Sequence, residues 1–281
     1  MNHEFYEVYY VNSTIGYIIY IILIILFIIL LVCLTVSFSS QNSNQTEQIT
    51  QQAFDFPILI INLDRKPERL AYVTNQLNTM GLSGYKKLSG TDGFKESRED
   101  LTKFGLTYEL TERPGIAGCA ASHVRAWEHI RNNKMGWTLI LEDDAHFHPQ
   151  FMQLFSKYWE HVPKDAKIVF PGFCAESSVE QTHELVIKKE VMCLQGYMLS
   201  WEGAQYLLDN LLPLSQPVDI AIDNHFKHID GSYIFNGNVI IDGIRPNDYK
   251  EANGRRCMFN GIIYQNHEEQ GSTIHSEETV F

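Results

Sequence analysis

Three consecutive carboxylates, Glu142-Asp143-Asp144, follow the apolar run Trp137-Thr138-Leu139-Ile140-Leu141. A run of that length reads as a strand buried on both faces, so the acids stand where the strand leaves the core. Crowded negative charges repel one another, and a divalent cation with oxygen ligands is the simplest way to keep them ionised. Such a cation would in turn hold a diphosphate. An acidic, solvated turn is the competing reading. Under the metal reading Asp144 is the main ligand. Glu142, which shares its face along an extended chain, serves metal or ribose. Asp143 faces the donor or has a structural role.

Other residues could serve the same chemistry. Arg65 and Arg69 follow an earlier apolar run, where a guanidinium could pair with phosphate or simply decorate a helix surface. Asp92, in Gly90-Thr91-Asp92-Gly93, has the close-approach geometry to meet a nucleobase or ribose; a plain turn aspartate is the alternative. Transfer to a hydroxyl needs a general base, and Asp219 in Pro217-Val218-Asp219 is the candidate, with Asp223 as its helical neighbour. His146 and His148 invite a zinc reading, but alternate histidines after a strand are more often exposed. His225, His267 and His275 are open candidates for a late metal ligand.

The elements that must position these groups are legible in outline. Pro57-Ile58-Leu59-Ile60-Ile61-Asn62-Leu63 is a continuous apolar run typical of a central parallel strand. Pro67 suits a first helical turn, and Leu70, Val73, Leu77 and Met80 then recur at helical spacing before Gly81. A strand is expected near Tyr85 to Leu88. Ser122 reads as the cap of a helix carrying Val124, Trp127 and Ile130. After the acidic strand come a helix near Gln150 to Trp159, a strand at Lys167 to Phe170, a strand-like Cys193 to Ser200 and a helix near Glu202 to Leu212. This alternation predicts a single α/β domain with a mostly parallel sheet, and ligands in such sheets bind at the strands' carboxyl ends.

The first part of the chain is different. Thr14 to Val36 is almost wholly Ile, Leu, Tyr, Phe and Val, long enough to cross a ~30 Å hydrocarbon core. It reads as an uncleaved membrane anchor, not a signal peptide, because its apolar core is long and no Lys or Arg precedes it. The organisation is therefore a tail at 1–13, a transmembrane helix at 14–36, a flexible Ser/Gln/Asn/Thr stem at 37–56 and a domain at 57–281. No basic residue near the span fixes its orientation, but the bulk of the chain follows it, so type II topology with a non-cytosolic domain is the expectation. A formal net charge of −12, with no Lys/Arg cluster, argues against a nucleic-acid partner. Cys119, Cys174, Cys193 and Cys257 form no CxxC pair, which excludes a zinc ribbon and leaves disulfides open.

Three motifs in order carry a resemblance: Ile61-Asn62-Leu63-Asp64-Arg65 with Glu68-Arg69-Leu70, Gly118-Cys119 with Ser122-His123, and Leu139-Ile140-Leu141-Glu142-Asp143-Asp144. Together they resemble glycosyltransferase family 25, which includes lipopolysaccharide and procollagen galactosyltransferases. Weaker echoes are Gly196-Tyr197, Pro217-Val218-Asp219 and Gln265. The resemblance implies a GT-A-like, Rossmann-type fold and inverting transfer of a hexose, galactose or glucose, from a UDP-sugar. The acceptor would be a hydroxyl of a glycan or hydroxylysine-type protein, and Mn²⁺ is the usual cofactor. It places Asn62, Arg65, Asp92, His123, Glu142 and Asp143 at the donor, Asp144 and Glu142 at the metal, and Asp219 as base. The stretch Asn247 to Asn260 departs from the pattern, which weakens the acceptor side. A non-catalytic relative kept for binding or adhesion is the alternative, and the intact acidic triplet argues against it. A metal-dependent phosphohydrolase lacks the second acid and histidine cluster it would need.

Overall fold

The computed structural model describes residues 22, 24–35, 54–174, 183–188, 192–227, 229–248 and 259–265. The chain divides into two compact units, Met1–Gln52 and Ala53–Phe281. In the first, residues 22 and 24–35 are helical, and their apolar side chains are exposed, Phe27 at 61% and Leu34 at 57%. Among the described residues no helix is long and apolar enough to cross a membrane. The rest of the expected span 14–36, the tail 1–13 and the stem up to residue 53 lie outside them.

The second unit begins a few residues before the expected boundary at Pro57. Phe54 is buried with its ring centroid 4.7 Å from that of Phe155, and Phe56 lies 4.8 Å from Trp159. Strand β1 (Ile58–Asn62) leads into helix α1 (Pro67–Thr79), which Pro67 opens and whose buried side is Arg69, Val73 and Leu77. Strand β2 (Tyr85–Ser89) follows, then the short helix α2 (Arg98–Thr102) and the long helix α3 (Pro114–Asn132). Next come β3 (Thr138–Glu142), β4 (Ala145–Phe147) and α4 (Phe151–Trp159). The order continues with β5 (Ile168–Phe170), β6 (Gly172–Cys174), β7 (Val186–Lys188), β8 (Gly196–Leu199), α5 (Trp201–Leu211) and α6 (Val218–Phe226). Strands β9 (Ser232–Phe235), β10 (Phe259–Gly261) and β11 (Ile263–Gln265) complete it.

The central sheet is mixed: five of its seven strands share one direction, as a mostly parallel sheet has it, and β8 and β7, whose reversal was not expected, run against them. Its order is β2-β1-β3-β8-β5-β9-β7. β2, β1 and β3 are mutually parallel, as are β5 and β9, but β8 runs antiparallel to both β3 and β5, and β7 to β9. The physical reason is that β8 is buried at all four positions. An apolar run of that kind records burial on both faces and carries no information on direction.

Alternate strand residues divide between two cores, as the period of two demands. Leu59, Ile140, Tyr197 and Ile234 face one cluster with residues of α3, α5 and α6, whereas Ile60, Leu139, Met198 and Phe235 face the other with α1 and α4. Ser122 is not a cap. It lies inside α3, which begins at Pro114, eight residues earlier, and its Oγ donates to the carbonyl of Gly118 (2.7 Å). Two glycines obscured that start, since Gly disfavours helix interiors. Gly118 is tolerated because no side chain fits: a Cβ there would lie 2.6 Å from the carbonyl oxygen of Thr91.

Candidate functional site

A cleft of about 720 Å³, open to solvent, lies at the carboxyl ends of β1, β2 and β3. Its floor is the acidic triplet. Glu142 ends β3, while Asp143 and Asp144 form the tight turn into β4.

The three acids have different surroundings. Asp143 is held on both oxygens: Asn62 Nδ2 donates to Oδ2 (2.7 Å), and Arg69 Nη2 pairs with Oδ1 (2.7 Å). Burial nevertheless outweighs these partners and raises its carboxyl above the usual range. Asp144 receives Arg69 Nη2 (2.9 Å) and Gln265 Nε2 (2.8 Å) on Oδ2. Its Oδ1 is buried with no hydrogen-bond partner among the described residues. Burial, and next the neighbouring Glu142 charge, push the Asp144 carboxyl up to about 7. Glu142 is the most open, its side chain 26% exposed, and its Oε1 lies 3.1 Å from His123 Nε2.

The second wall is the loop after β2. Arg65 Nε donates to Asp92 Oδ2 (2.8 Å), so both sequence candidates are here, paired with each other. Asp92 Oδ1 is buried and has no hydrogen-bond partner among the described residues. The loop is fixed against α3: the Thr91 amide donates to Ser122 Oγ (2.8 Å), and a Cβ on Gly93 would sit 1.9 Å from the carbonyl oxygen of Pro114. Glycine at 93 and 118 thus allows backbone to touch backbone behind the cleft.

Helix α3 presents Cys119 and His123 one turn apart. Cys119 is a free thiol on the cleft wall, and burial, with the Glu142 charge beside it, pushes its pKa well up. One ligand atom from each of Cys119, His123 and Glu142 falls within 4.8 Å of the others. Zinc there would require a deprotonated thiol, which the burial of Cys119 opposes.

The structure therefore brings Arg65, Asp92, His123, Glu142, Asp143 and Asp144 to one cleft, and leaves Asn62, which is buried against Asp143, and Asp219 outside its lining. Asp219 Oδ1 accepts the Ile220 amide (2.9 Å) and Oδ2 the Cys193 amide (3.4 Å); its charge reaches Cys119 on the cleft wall. Asp223 pairs with Lys227 (3.1 Å). His148 is buried, against the sequence expectation of exposure, and its Nδ1 accepts the Gln150 amide (3.0 Å). His225 contacts the Tyr206 hydroxyl (3.0 Å), and His267 and His275 lie outside the described residues. Two residues underrated from sequence are central here. Arg69 shares the i, i+4, i+8 side of α1 with Val73 and Leu77, a spacing that marks it as inward-facing. Gln265 reaches Asp144 because β11 pairs antiparallel with β4, Gln265 opposite Ala145, and no local signal encodes that register.

Residues 55–222, more than half of the chain, match the family described as glycosyltransferase family 25 (LPS biosynthesis protein). A protein of Acanthamoeba polyphaga mimivirus named as a glycosyltransferase is 28% identical over 168 residues, 54% of this chain and 52% of that protein. A glycosyltransferase 25 family member of Aedes aegypti is 25% identical, over 67% of this chain and 34% of its own length. Procollagen galactosyltransferase 2 of Mus musculus is 26% identical, over 60% of this chain and 30% of its own. The matches thus span about half or less of these relatives. A solved glycosyltransferase involved in glycosylation of the major capsid of PBCV-1 superposes with a TM-score of 0.41 at 9% identity, over 76% of this chain and 96% of that one. The family match, and not that loose superposition, carries the conclusion: the chain belongs to glycosyltransferase family 25.

Proposed function

We propose that the chain is a metal-assisted glycosyltransferase that moves a hexose, galactose or glucose, from a UDP-sugar to a hydroxyl of a glycan or hydroxylysine-type acceptor with inversion. The observation that carries this reading is the unpartnered, buried Oδ1 of Asp144 on the floor of a cleft with excess negative charge. Four acids, Asp92, Glu142, Asp143 and Asp144, line it against two arginines, Arg65 and Arg69. A diphosphate would meet net repulsion there, so a cation is needed to reconcile substrate and site. Oxygen donors suit Mn²⁺ or Mg²⁺.

Asp144 and Glu142 would hold that ion. When bound, it supplies Lewis-acid stabilisation of charge on the leaving diphosphate. The protein's own residues do the rest. Arg69 and Asn62 clamp Asp143 and so hold the turn that aims Asp144. Arg65 and the Asp92 loop form the wall against which the nucleoside rests, and Asp92 Oδ1 offers an acceptor to a ribose hydroxyl or base N–H. Asp219 is proposed as the base for the acceptor hydroxyl on its motif alone, its carboxylate accepting the Ile220 and Cys193 amides outside the cleft lining. Helix–strand alternation around this cleft suits a GT-A-like fold. The exposed apolar side chains of residues 24–35 are consistent with an anchor in a membrane, and the type II orientation with a non-cytosolic domain belongs to the same proposal on the order of the chain alone.

The test is UDP-sugar hydrolysis and transfer by the full chain, with and without Mn²⁺, for wild type and Asp144→Ala. Mn²⁺-dependent release of UDP, lost in the variant, is the expected result. Metal-independent turnover, or an unaffected variant, would overturn the site assignment. Labelled UDP-galactose and UDP-glucose offered with hydroxylysine peptides and glycans then identify donor and acceptor.

A further inference from the structure

Behind Glu142 lies a buried chain of polar groups. Trp127 Nε1 lies 2.9 Å from the hydroxyl of Tyr197, that hydroxyl lies 3.0 Å from His123 Nδ1, and His123 Nε2 lies 3.1 Å from Glu142 Oε1. Trp127, Tyr197 and His123 are all essentially inaccessible to solvent. His123 and Trp127 stand one turn apart on α3, and Tyr197 comes from β8, whose antiparallel register sets it opposite Ile140 of β3.

Proton bookkeeping fixes the direction of every bond. An indole N–H can only donate, so Tyr197 oxygen accepts from Trp127. The tyrosine's own proton then has His123 Nδ1 as its acceptor. Nδ1 must therefore be bare, Nε2 must carry the hydrogen, and that hydrogen points at Glu142. The opposite tautomer would give the Tyr197 oxygen two donors and leave its hydroxyl proton without an acceptor in a dry site.

We infer that Trp127, Tyr197 and His123 form a one-way hydrogen-bond relay that positions Glu142, holding Oε1 as an acceptor and leaving Oε2 for the ligand in the cleft. All three are positioning residues, and the inference rests on the reading of Glu142 as a metal or donor contact.

Two measurements on the full-length protein test it. Long-range ¹H–¹⁵N spectra of histidine-labelled protein at neutral pH, with His123 assigned through His123→Gln, should show the Nε2–H tautomer. An Nδ1–H tautomer or an imidazolium would overturn the relay. Tyr197→Phe leaves the Glu142 carboxylate to hold the Nε2 hydrogen, so the tautomer should persist while the His123 Nδ1 resonance, having lost its donor, moves and the Mn²⁺ concentration for half-maximal turnover rises about 10-fold, the size typical for loss of an outer partner of a metal ligand. Trp127→Phe, which removes only the first donor, should move the same resonance less and covers the case in which Tyr197→Phe does not fold. An unchanged Nδ1 resonance and Mn²⁺ dependence in a folded variant would refute the proposal. Wild type with the Nε2–H tautomer but no Mn²⁺-dependent turnover would support the relay and count against the functional reading instead.

Discussion

Replacing Arg69 with Met tests the electrostatics of the cleft floor directly. One guanidinium nitrogen bridges Asp143 (2.7 Å) and Asp144 (2.9 Å), and all three side chains are at least nine-tenths buried. Met keeps the apolar stem of the side chain packed beside Val73 and Leu77 while removing the charge. Breaking a buried pair by deleting one partner costs about 3–5 kcal/mol, because the remaining charge is left unpaired in low dielectric. In a domain of this size each kcal/mol moves the midpoint by about 2–4 °C, so a fall of roughly 10 °C is expected. The loss should also depend on pH. Asp144 has its carboxyl at about 7 with Arg69 in place, and removing Arg69, which lowers that value, lets it take a proton more readily. Protonation removes part of the unpaired charge, so the penalty should be smaller at pH 6 than at pH 8. Adding Asp143→Asn to Arg69→Met should recover about half of the loss. Thermal denaturation of metal-free protein at the two pH values measures all of this. A cost under about 1 kcal/mol, or one equal at pH 6 and pH 8, would refute the reasoning.

Four further outcomes follow from the geometry. Asp144 has a folded-state pKa near 7, raised above the ordinary 3.8, so the native state binds the extra proton and its contribution is favourable at low pH and lost as pH rises toward 7. Metal-free Asp144→Asn protein should therefore lack about 3–4 kcal/mol of that pH dependence, read from denaturant midpoints between pH 4 and pH 8. His148 acts in the opposite sense: burial lowers it to about 4, so its contribution is full above 6.5 and lost as pH falls toward 4. His148→Gln should flatten an acid-side loss of about 2 kcal/mol, allowing for partial screening. Gly118→Ala should cost about 1–3 kcal/mol and raise the donor KM, since a Cβ 2.6 Å from the Thr91 carbonyl oxygen forces the Asp92 loop to move. Gln265→Leu should weaken Mn²⁺ dependence and cost about 1.5–3 kcal/mol through loss of its bond to Asp144, checked by denaturation and by Mn²⁺ titration.

What was legible in the sequence depended on the range of the interaction that encodes it. Apolar period located β1, α1 and β3, because burial of Ile60 or Val73 is written in the residue's own neighbourhood. The same signal was silent on strand direction, so β8 could be found but its antiparallel insertion between β3 and β5 could not. The acidic triplet announced itself through composition. Its supports did not: Arg69 is an ordinary helix arginine until Val73 and Leu77 are counted on its side, and Tyr197 is an ordinary strand aromatic until α3 is packed over it. Ser122 misled because a serine before an apolar stretch resembles a cap, whereas here its hydroxyl ties the helix to the Thr91 amide. Asp219 shows the converse, a motif residue whose carboxylate is committed to backbone amides away from the cleft lining.

The bond from Gln265 to Asp144 joins residues 121 positions apart. Local segments can fold as soon as they exist, but a contact of that span must wait for the intervening chain and bear the entropy of closing so long a loop. The turn at residues 143–144 is thus complete only when β11 has been threaded beside β4. During synthesis, a nascent chain that ends between the acidic turn and residue 265 lacks the Gln265 donor to Asp144, so the arrangement of the acids matures late, as a property of the finished fold.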